Sequence, residues 1–313
     1  MRVDVVVPVF NRWELTRSCL TLLESQTVAH RAVVVDNGSI DGTPQRVRGE
    51  FPNVHVVELG RNNGFPAACN RGVREGTGDV VVLLNNDVEC RPDFLEYLIV
   101  PLSDNSVGSV AALLLVPGEQ HIESFGLAVD PTLAGYPRLR GARREDAQTA
   151  DPILIGPSGA AGAYRRTAWE EVGGLDEGVF AYGEDVDLAL RLRTADWGAA
   201  AAGNAVAVHL GSASAVTRSS WQRYQGGFSR GYFLRRYGVL KRASAVRALA
   251  TEVIAVTGDA FVYSHDLAAL RGRLAGWRAA AGRPQRRPPA DAIDRRITFV
   301  ESLRLRRRVY TCM

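Results

Sequence analysis

Lysine is nearly missing from this chain. Lys241 is the only one in 313 residues, although lysine and arginine together number 38. With alanine, glycine and valine abundant, this looks like a GC-rich coding bias, so arginine abundance by itself points to no function. Cysteine is scarce as well. Cys19, Cys69, Cys90 and Cys312 form no C-x-x-C pair, and no histidine stands at ligand spacing from them. That argues against a zinc cluster or a disulfide framework and fits a reducing cytoplasm. Long apolar runs are missing too: the longest, around Asn105–Gly118 and Ala199–Leu210, fall short of the roughly 18 residues that cross a bilayer. The N-terminal apolar stretch contains Asp4 and continues into Pro8, so it reads as a strand rather than a signal peptide. A hydrophobic fraction of 46% with 23% charged residues excludes a mostly disordered or fibrous chain.

Net charge is +4, but it is unevenly spread. From Arg218 to Met313 there are 20 basic and 6 acidic residues; residues 1–217 hold 18 and 28. An acidic body carries a basic tail, a pattern that bears on partners.

The first hundred residues alternate regularly. Val3–Val9 is a β-branched run expected to be a buried strand. Trp13–Ser25 carries a helical stripe at 15, 19, 20, 22 and 23. Ala32–Val35 is a second strand, Thr43-Pro44 opens a short helix, and Val54–Leu59 is a third strand. Phe65–Arg74 is a helix and Val80–Leu84 a fourth strand. This alternation predicts an α/β fold with a mostly parallel sheet flanked by helices. Such sheets bind ligands at the C-terminal ends of their strands. Three polar clusters stand at such ends: Asn11-Arg12, Asp36-Asn37-Gly38-Ser39 and Asn85-Asn86-Asp87. Further on, Val107–Val116 and Ile122–Val129 read as strands, 131–151 as a Gly/Pro/Arg-rich loop, Arg166–Val172 and Glu184–Arg193 as helices, and Ala199–His209 as a strand. Beyond Ser220 the chain reads as Arg-rich helices broken by Pro284, Pro288 and Pro289.

Five ordered motifs carry a resemblance: Val5-Val6-Val7-Pro8-Val9-Phe10-Asn11-Arg12, the stretch Val35-Asp36-Asn37-Gly38-Ser39-Ile40-Asp41-Gly42-Thr43, then Asn62-Asn63-Gly64-Phe65, Leu84-Asn85-Asn86-Asp87-Val88-Glu89, and Gly174-Leu175-Asp176 through Tyr182-Gly183-Glu184-Asp185-Val186-Asp187. Together they resemble the family 2 glycosyltransferases of GT-A (Rossmann-like) fold, in particular the rhamnosyltransferase-like branch. The resemblance covers about residues 1–215. It implies a nucleotide-sugar-binding and catalytic domain over 1–215, with a basic helical extension over 216–313.

By this resemblance Asp36 takes the ring N–H of a uracil- or thymine-like base, with Pro8, Phe10, Asn11, Arg12, Asn37, Ser39, Asn63, Gly64, Asn85 and Asn86 around the nucleotide. Asp87 is the metal residue. The usual Asp-x-Asp triplet is here Asn85-Asn86-Asp87, with one carboxylate, so weaker metal binding is expected. The diphosphate and His209 would complete the shell of a divalent cation, Mn²⁺ or Mg²⁺; imidazole suits Mn²⁺ better. Asp185 is the expected catalytic base and Glu184 its acceptor-orienting neighbour. Gly159 and Ala160 would let substrate approach the backbone, and Trp221 would offer a sugar platform.

Plainer readings stand beside these. The Asp36 segment suits a turn, Asn85–Asp87 a loop before a helix cap, Trp221 an amphipathic stripe, and the acidic run at 184–187 the N-terminal dipole of a helix, with Arg191 pairing Asp187. His209 suits a half-buried strand end. Arg218 and Arg223 could instead reach the diphosphate.

The implied reaction is inverting, metal-dependent transfer of a hexose or deoxyhexose to a hydroxyl acceptor, lipid-linked or otherwise, in cell-surface glycan synthesis. dTDP-rhamnose is the first donor expected and a UDP-linked sugar the next. A sugar-phosphate nucleotidyltransferase is the alternative, but the segment after the first strand lacks the glycine-rich loop such an enzyme needs. A catalytically inactive sugar-nucleotide-binding protein is another. The tail is expected to meet solvent, an anionic membrane surface at the cytoplasmic face, or a second copy in a homodimer. No nucleic-acid motif is present.

Overall fold

The structure, a computed structural model, describes residues 1–148, 152–211, 219–263 and 265–311. Strand β1 (Val3–Val9) is buried along nearly its whole length, as a central strand with covered faces must be. It is followed by α1 (Trp13–Glu24), β2 (His30–Asp36), α2 (Thr43–Glu50), β3 (His55–Glu58), α3 (Phe65–Arg74) and β4 (Val80–Leu84). Then come β5 (Val88–Cys90), α4 (Phe94–Ile99), β6 (Val107–Leu115), β7 (Ile122–Ser124), β8 (Leu127–Val129) and β9 (Gly135–Pro137). The chain continues through β10 (Ala161–Arg165), α5 (Arg166–Glu171), α6 (Glu184–Thr194), β11 (Gly198–His209), α7 (Ser220–Arg236), α8 (Ala245–Val262), α9 (Ala268–Ala279) and α10 (Phe299–Thr311).

The main sheet runs β3-β2-β1-β4-β10-β6-β11-β5, with β7 on β6. β1 is flanked in parallel by β2 and β4. The chain builds outward from β1 to β3 and then crosses back to β4, so the strand order reverses beside β1. That reversal opens a crevice at the C-terminal strand ends. Side chains alternate across the pleat. Val3, Val5, Val7 and Val9 pack with Leu20, Leu23, Phe94 and Leu98 on one face; Val6 packs with Ala68, Val73, Trp169 and Leu188 on the other. Asp4, odd within an apolar strand, is buried because Arg166 (2.7 Å) and the Gly78 N–H (2.6 Å) satisfy its carboxylate.

Two expectations are corrected. Ile122–Val129 is not one strand: the chain turns at Gly126 (φ 84°) into β7 and β8, which pair with different neighbours. The expected loop at 131–151 contains β9 and a 3-10 turn over Arg144–Gln148, because Tyr136 and Ala134 find a buried apolar cluster with Ile297.

Helices α7 and α9 cross with their backbones nearly touching. A Cβ added at Gly227 or Gly231 would strike the α9 backbone, and one at Gly272 or Gly276 the α7 backbone. Phe233, Leu234 and Tyr237 of the extension share a core cluster with Val186, Ala189 and Leu190 of α6. Much of the tail's positive charge is turned onto the acidic body. Asp176 faces Arg286 (2.9 Å), Arg283 (3.7 Å) and Arg236 (3.8 Å), and Asp130 faces Arg247 (3.2 Å). The charge asymmetry read from the sequence is therefore in part an internal complement.

Candidate active site

Sheet topology dictates which residues meet. β10 runs antiparallel beside β4, with Ala161 opposite Leu84. The segment entering β10 therefore lies against the end of β4, where the Asn85 N–H donates to the Ala160 carbonyl (2.8 Å). β11 runs parallel to β6 and so ends on the same edge; β5 folds back along it, placing Val88 opposite His209. Asp87 thus arrives beside His209, and its carbonyl accepts the Leu210 N–H (2.9 Å).

His209 Nε2 lies 3.3 Å from Asp87 Oδ1, and its Nδ1 lies 3.5 Å from Glu123 Oε2 on β7. Arg140 stands 3.3 Å from Glu123. Burial opposes charge on the ring, but hydrogen bonding and attraction from the two carboxylates outweigh it and lift the His209 pKa to about 10. Burial works against the Glu123 carboxylate, yet His209 and then Arg140 bring it below its usual range. Glu123 was not anticipated. The signal was a carboxylate near the start of a mostly apolar strand, where an ionised group needs a partner.

The donor set suits a hard divalent cation. Asp87 Oδ1 is buried without a well-aligned hydrogen-bond partner and faces His209 Nε2; carboxylate plus imidazole matches Mn²⁺ chemistry once an arriving ion displaces the ring proton. Among the described residues no group of three or more His, Cys, Asp or Glu side chains forms a metal cage by itself. An ion bound by Asp87 and His209 would need oxygens from a ligand.

The strand-end turns around the crevice are tightly wired. Asn11 and Arg12 both adopt left-handed backbone (φ 59° and 67°), a costly pair of conformations. Two bonds hold that turn: the Asn11 N–H donates to Ser39 Oγ (2.6 Å) and the Ile40 N–H to Asn11 Oδ1 (2.9 Å). Pro8 is half-buried and Phe10 is 49% exposed at the rim. Asp36 is buried, and its carboxylate accepts the N–H groups of Gly38 (3.2 Å) and Ser39 (3.1 Å), so in this structure it shapes its own turn. Asn37 is also buried. Its amide bonds Asn62 Oδ1 (3.0 Å) and the Gly64 carbonyl (3.1 Å), and its oxygen accepts the Asn63 N–H (2.8 Å). Asn86 donates to Thr16 Oγ1 (3.0 Å). Gly64 (φ 89°) lies against Phe180, where a Cβ would come within 2.6 Å of the carbonyl oxygen. The Phe65 N–H donates to that same carbonyl (2.9 Å).

From Phe180 the chain makes a sharp turn through Tyr182 (φ 70°) and Gly183 (φ 79°) into α6. Asp185 Oδ2 accepts the Gly159 N–H (2.9 Å) and Oδ1 the Val186 N–H (2.8 Å). A Cβ on Gly159 would sit 3.5 Å from both Asp185 Oδ2 and Glu184 Oε1, so the two carboxylates converge over this glycine. One loop, 157–160, therefore touches the Asn85–Asp87 turn through Ala160 and Asp185 through the neighbouring Gly159. Burial raises both pKa values, Glu184 strongly and further through the Asp185 charge, whereas the Gly159 and Val186 N–H groups oppose the rise in Asp185. Environments that separate two neighbouring carboxyls set up one protonated and one ionised partner. Of the two, Glu184 is pushed up further, and its Oε2 is buried without a hydrogen-bond partner.

Other expected residues lie elsewhere or do something else. Trp221 is half-exposed and meets Phe180 edge-on at 5.8 Å, so it stands by the turn into α6 rather than in the core. Arg223 is buried on Asp259 (3.1 Å) and Asp266. Arg218 lies outside the described residues. Asp187 pairs with Arg191 (2.8 Å), as its spacing suggested, and also with Arg286 and the Tyr237 hydroxyl (2.9 Å). A cavity of about 500 Å³ opens beside Gly183, walled by Tyr136, Val186, Phe233, Arg230 and Arg273.

The Glycosyl transferase family 2 profile matches residues 4–173: the chain belongs to this family. It is 31% identical over 193 residues to the N-acetylglucosaminyl-diphospho-decaprenol L-rhamnosyltransferase of Mycobacterium tuberculosis, covering 53% of this chain and 61% of that protein. It is 28% identical over 205 residues to the O-antigen biosynthesis protein RfbC of Myxococcus xanthus, covering 61% of this chain and 16% of that one. The match thus spans less than two thirds of either relative. Among solved structures, the mannosyltransferase PcManGT of Pyrobaculum calidifontis, in complex with GDP-Man and Mn²⁺, superposes with a TM-score of 0.56 at 22% identity, covering 89% of this chain and 85% of that one. The fold is GT-A, with a helical C-terminal region.

Proposed function

We propose that this chain is an inverting glycosyltransferase that moves a hexose or deoxyhexose from a nucleoside diphosphate sugar to a hydroxyl acceptor. One observation carries the reading: through Gly159 and Ala160 the loop 157–160 joins Asp185, a carboxyl group with no cation among the charges that shift it, to the strand end that bears Asp87. Asp185 takes the proton of the acceptor hydroxyl. The oxygen attacks the anomeric carbon from the face opposite the diphosphate, and the nucleoside diphosphate leaves with the bonding electron pair. Glu184, protonated, donates a hydrogen bond that orients the acceptor. A divalent cation bound by Asp87 and His209 would neutralise the diphosphate's growing charge. The turns around Asn11, Asp36, Asn37 and Asn63 form the nucleotide side.

The name of the tuberculosis relative supports a rhamnosyl donor, with dTDP-rhamnose the first to test, and a lipid-linked acceptor as one class. The cavity beside Gly183 is the place for the acceptor's apolar part. In this reading residues 1–215 form the catalytic unit and 216–313 close its acceptor side.

A thermal-shift panel of nucleoside diphosphates with and without Mn²⁺ tests the donor side, because a tight ligand raises the melting temperature by mass action. The expected result is a thymidine or uridine diphosphate shift that needs Mn²⁺ and is lost in Asp87→Asn. A shift of the same size without the ion, or in that variant, removes Asp87 from the ion site.

A further inference from the structure

Helix α8 is built inside out. Its charged residues face the protein: Arg247 meets Asp130 (3.2 Å), Glu252 meets Arg230 (2.7 Å) and Arg273 (2.8 Å), and Asp259 meets Arg223 (3.1 Å). Its outward positions are Val246, Leu249, Val253, Ile254, Thr257, Gly258, Phe261 and Val262, none of them charged. Val246 is 80% exposed, Val253 61%, Phe261 84% and Val262 69%. The spacing 246-249-253-257-261 places these on one continuous face. A contiguous apolar surface of this kind needs a partner. Among the described residues no helix is long and apolar enough to cross a membrane, so the stripe lies along the protein surface.

We propose that the outer face of α8 docks in the plane of an anionic lipid bilayer. Charge complementarity selects this occupant over a second copy of the chain. The segment that bears α8 holds 20 basic and 6 acidic residues; several of its arginines are turned inward, but Lys241, Arg271 and Arg278 stand exposed beside the stripe. Pairing two copies through α8 would bring two such segments together, whereas acidic headgroups attract them. Lys241 is exposed just ahead of α8. Leu267, just before the neighbouring helix α9, and Arg271, Leu274 and Arg278 on it face outward, the mixture of apolar and basic side chains that suits a headgroup boundary. The inner side of α8 contributes Ala255 and Asp259 to the cavity beside Gly183, so docking sets that cavity close to the lipid surface. The proposal rests on the outer surface of α8 and the basic side chains beside it, and does not depend on the donor or acceptor assigned above.

The test is flotation of the full chain with vesicles of phosphatidylcholine, with or without phosphatidylglycerol. Association with the anionic vesicles is expected, weakening as salt is raised. The V253D/F261D variant should bind at least about ten-fold more weakly, since it removes two buried apolar side chains and adds two charges. Hydrogen exchange on the wild-type chain needs no variant: vesicles should slow exchange over 245–262. Three results overturn the proposal: no association of the wild-type chain with anionic vesicles, unchanged exchange over α8 when bound, or a wild-type dimer in light scattering that the variant converts to monomer.

Discussion

Helix α6 carries two kinds of carboxylate within one turn. Asp187 is encircled by Arg191, Arg286 and Tyr237, and Asp176 nearby by Arg236, Arg283 and Arg286. Glu184 and Asp185 have backbone N–H groups and each other, and no arginine or lysine among the charges that shift them. Both pairs are largely buried, so burial does not separate structure from chemistry here; the choice of partner does. A carboxylate clamped by guanidinium is held still. One left without a cation keeps a pKa that can respond to a proton.

The sharpest way to break this contrast is to neutralise one member of each kind. Asp185→Asn should cost about 10²–10⁴-fold in kcat, the worth of a positioned base, while the melting temperature holds or rises, as single-turnover kinetics and calorimetry would read. Asp187→Ala should do the reverse. Removing the buried partner that Arg191 and Arg286 share should cost about 3–5 kcal/mol of stability, measured by denaturant unfolding, with a far smaller loss in kcat per folded molecule. Equal kinetic losses in the two variants would erase the distinction.

Glu123→Gln probes a middle case, a carboxylate that acts through His209. Loss of such an outer partner typically costs about 10–100-fold in metal affinity or activity, and a Mn²⁺ titration of turnover would read it as a raised half-saturating concentration.

The smallest effect is in pH. Glu184 has a raised native pKa, so its contribution to stability is favourable at low pH and is lost as pH climbs from the ordinary carboxylate value through the native one. Glu184→Gln should therefore gain about a few degrees in melting temperature over wild type at neutral pH, with the gain shrinking as pH falls. Glu252 runs the other way. Burial works against its charge, but Arg230, Arg273 and Arg306 bring it to about 2. Its contribution is full above the ordinary carboxylate pKa and fades as pH drops toward about 2, which a melting series on Glu252→Gln would display.

Much of the fold was legible because valine runs and helical stripes repeat with clear punctuation. β4 over Val80–Leu84 and α3 over Phe65–Arg74 fall where periodicity placed them. What stayed hidden depends on distant pairing. Glu123 acquires meaning only when β7 lies beside β6 and brings it to His209. The sequence shows an acidic body and a basic tail; it does not show that Arg283 and Arg286 reach back to Asp176, because ion pairs across a hundred residues leave no local period. The inverted polarity of α8 was concealed for the same reason, since a stripe of valine and leucine reads as core until its partners are seen.

The contact of Gly64 with Phe180 has a mechanical corollary. It fastens the turn that Asn37 latches to the turn that launches α6. The two turns thus share one anchor, and displacing the Asn37 turn would strain the entry into the helix that carries Asp185.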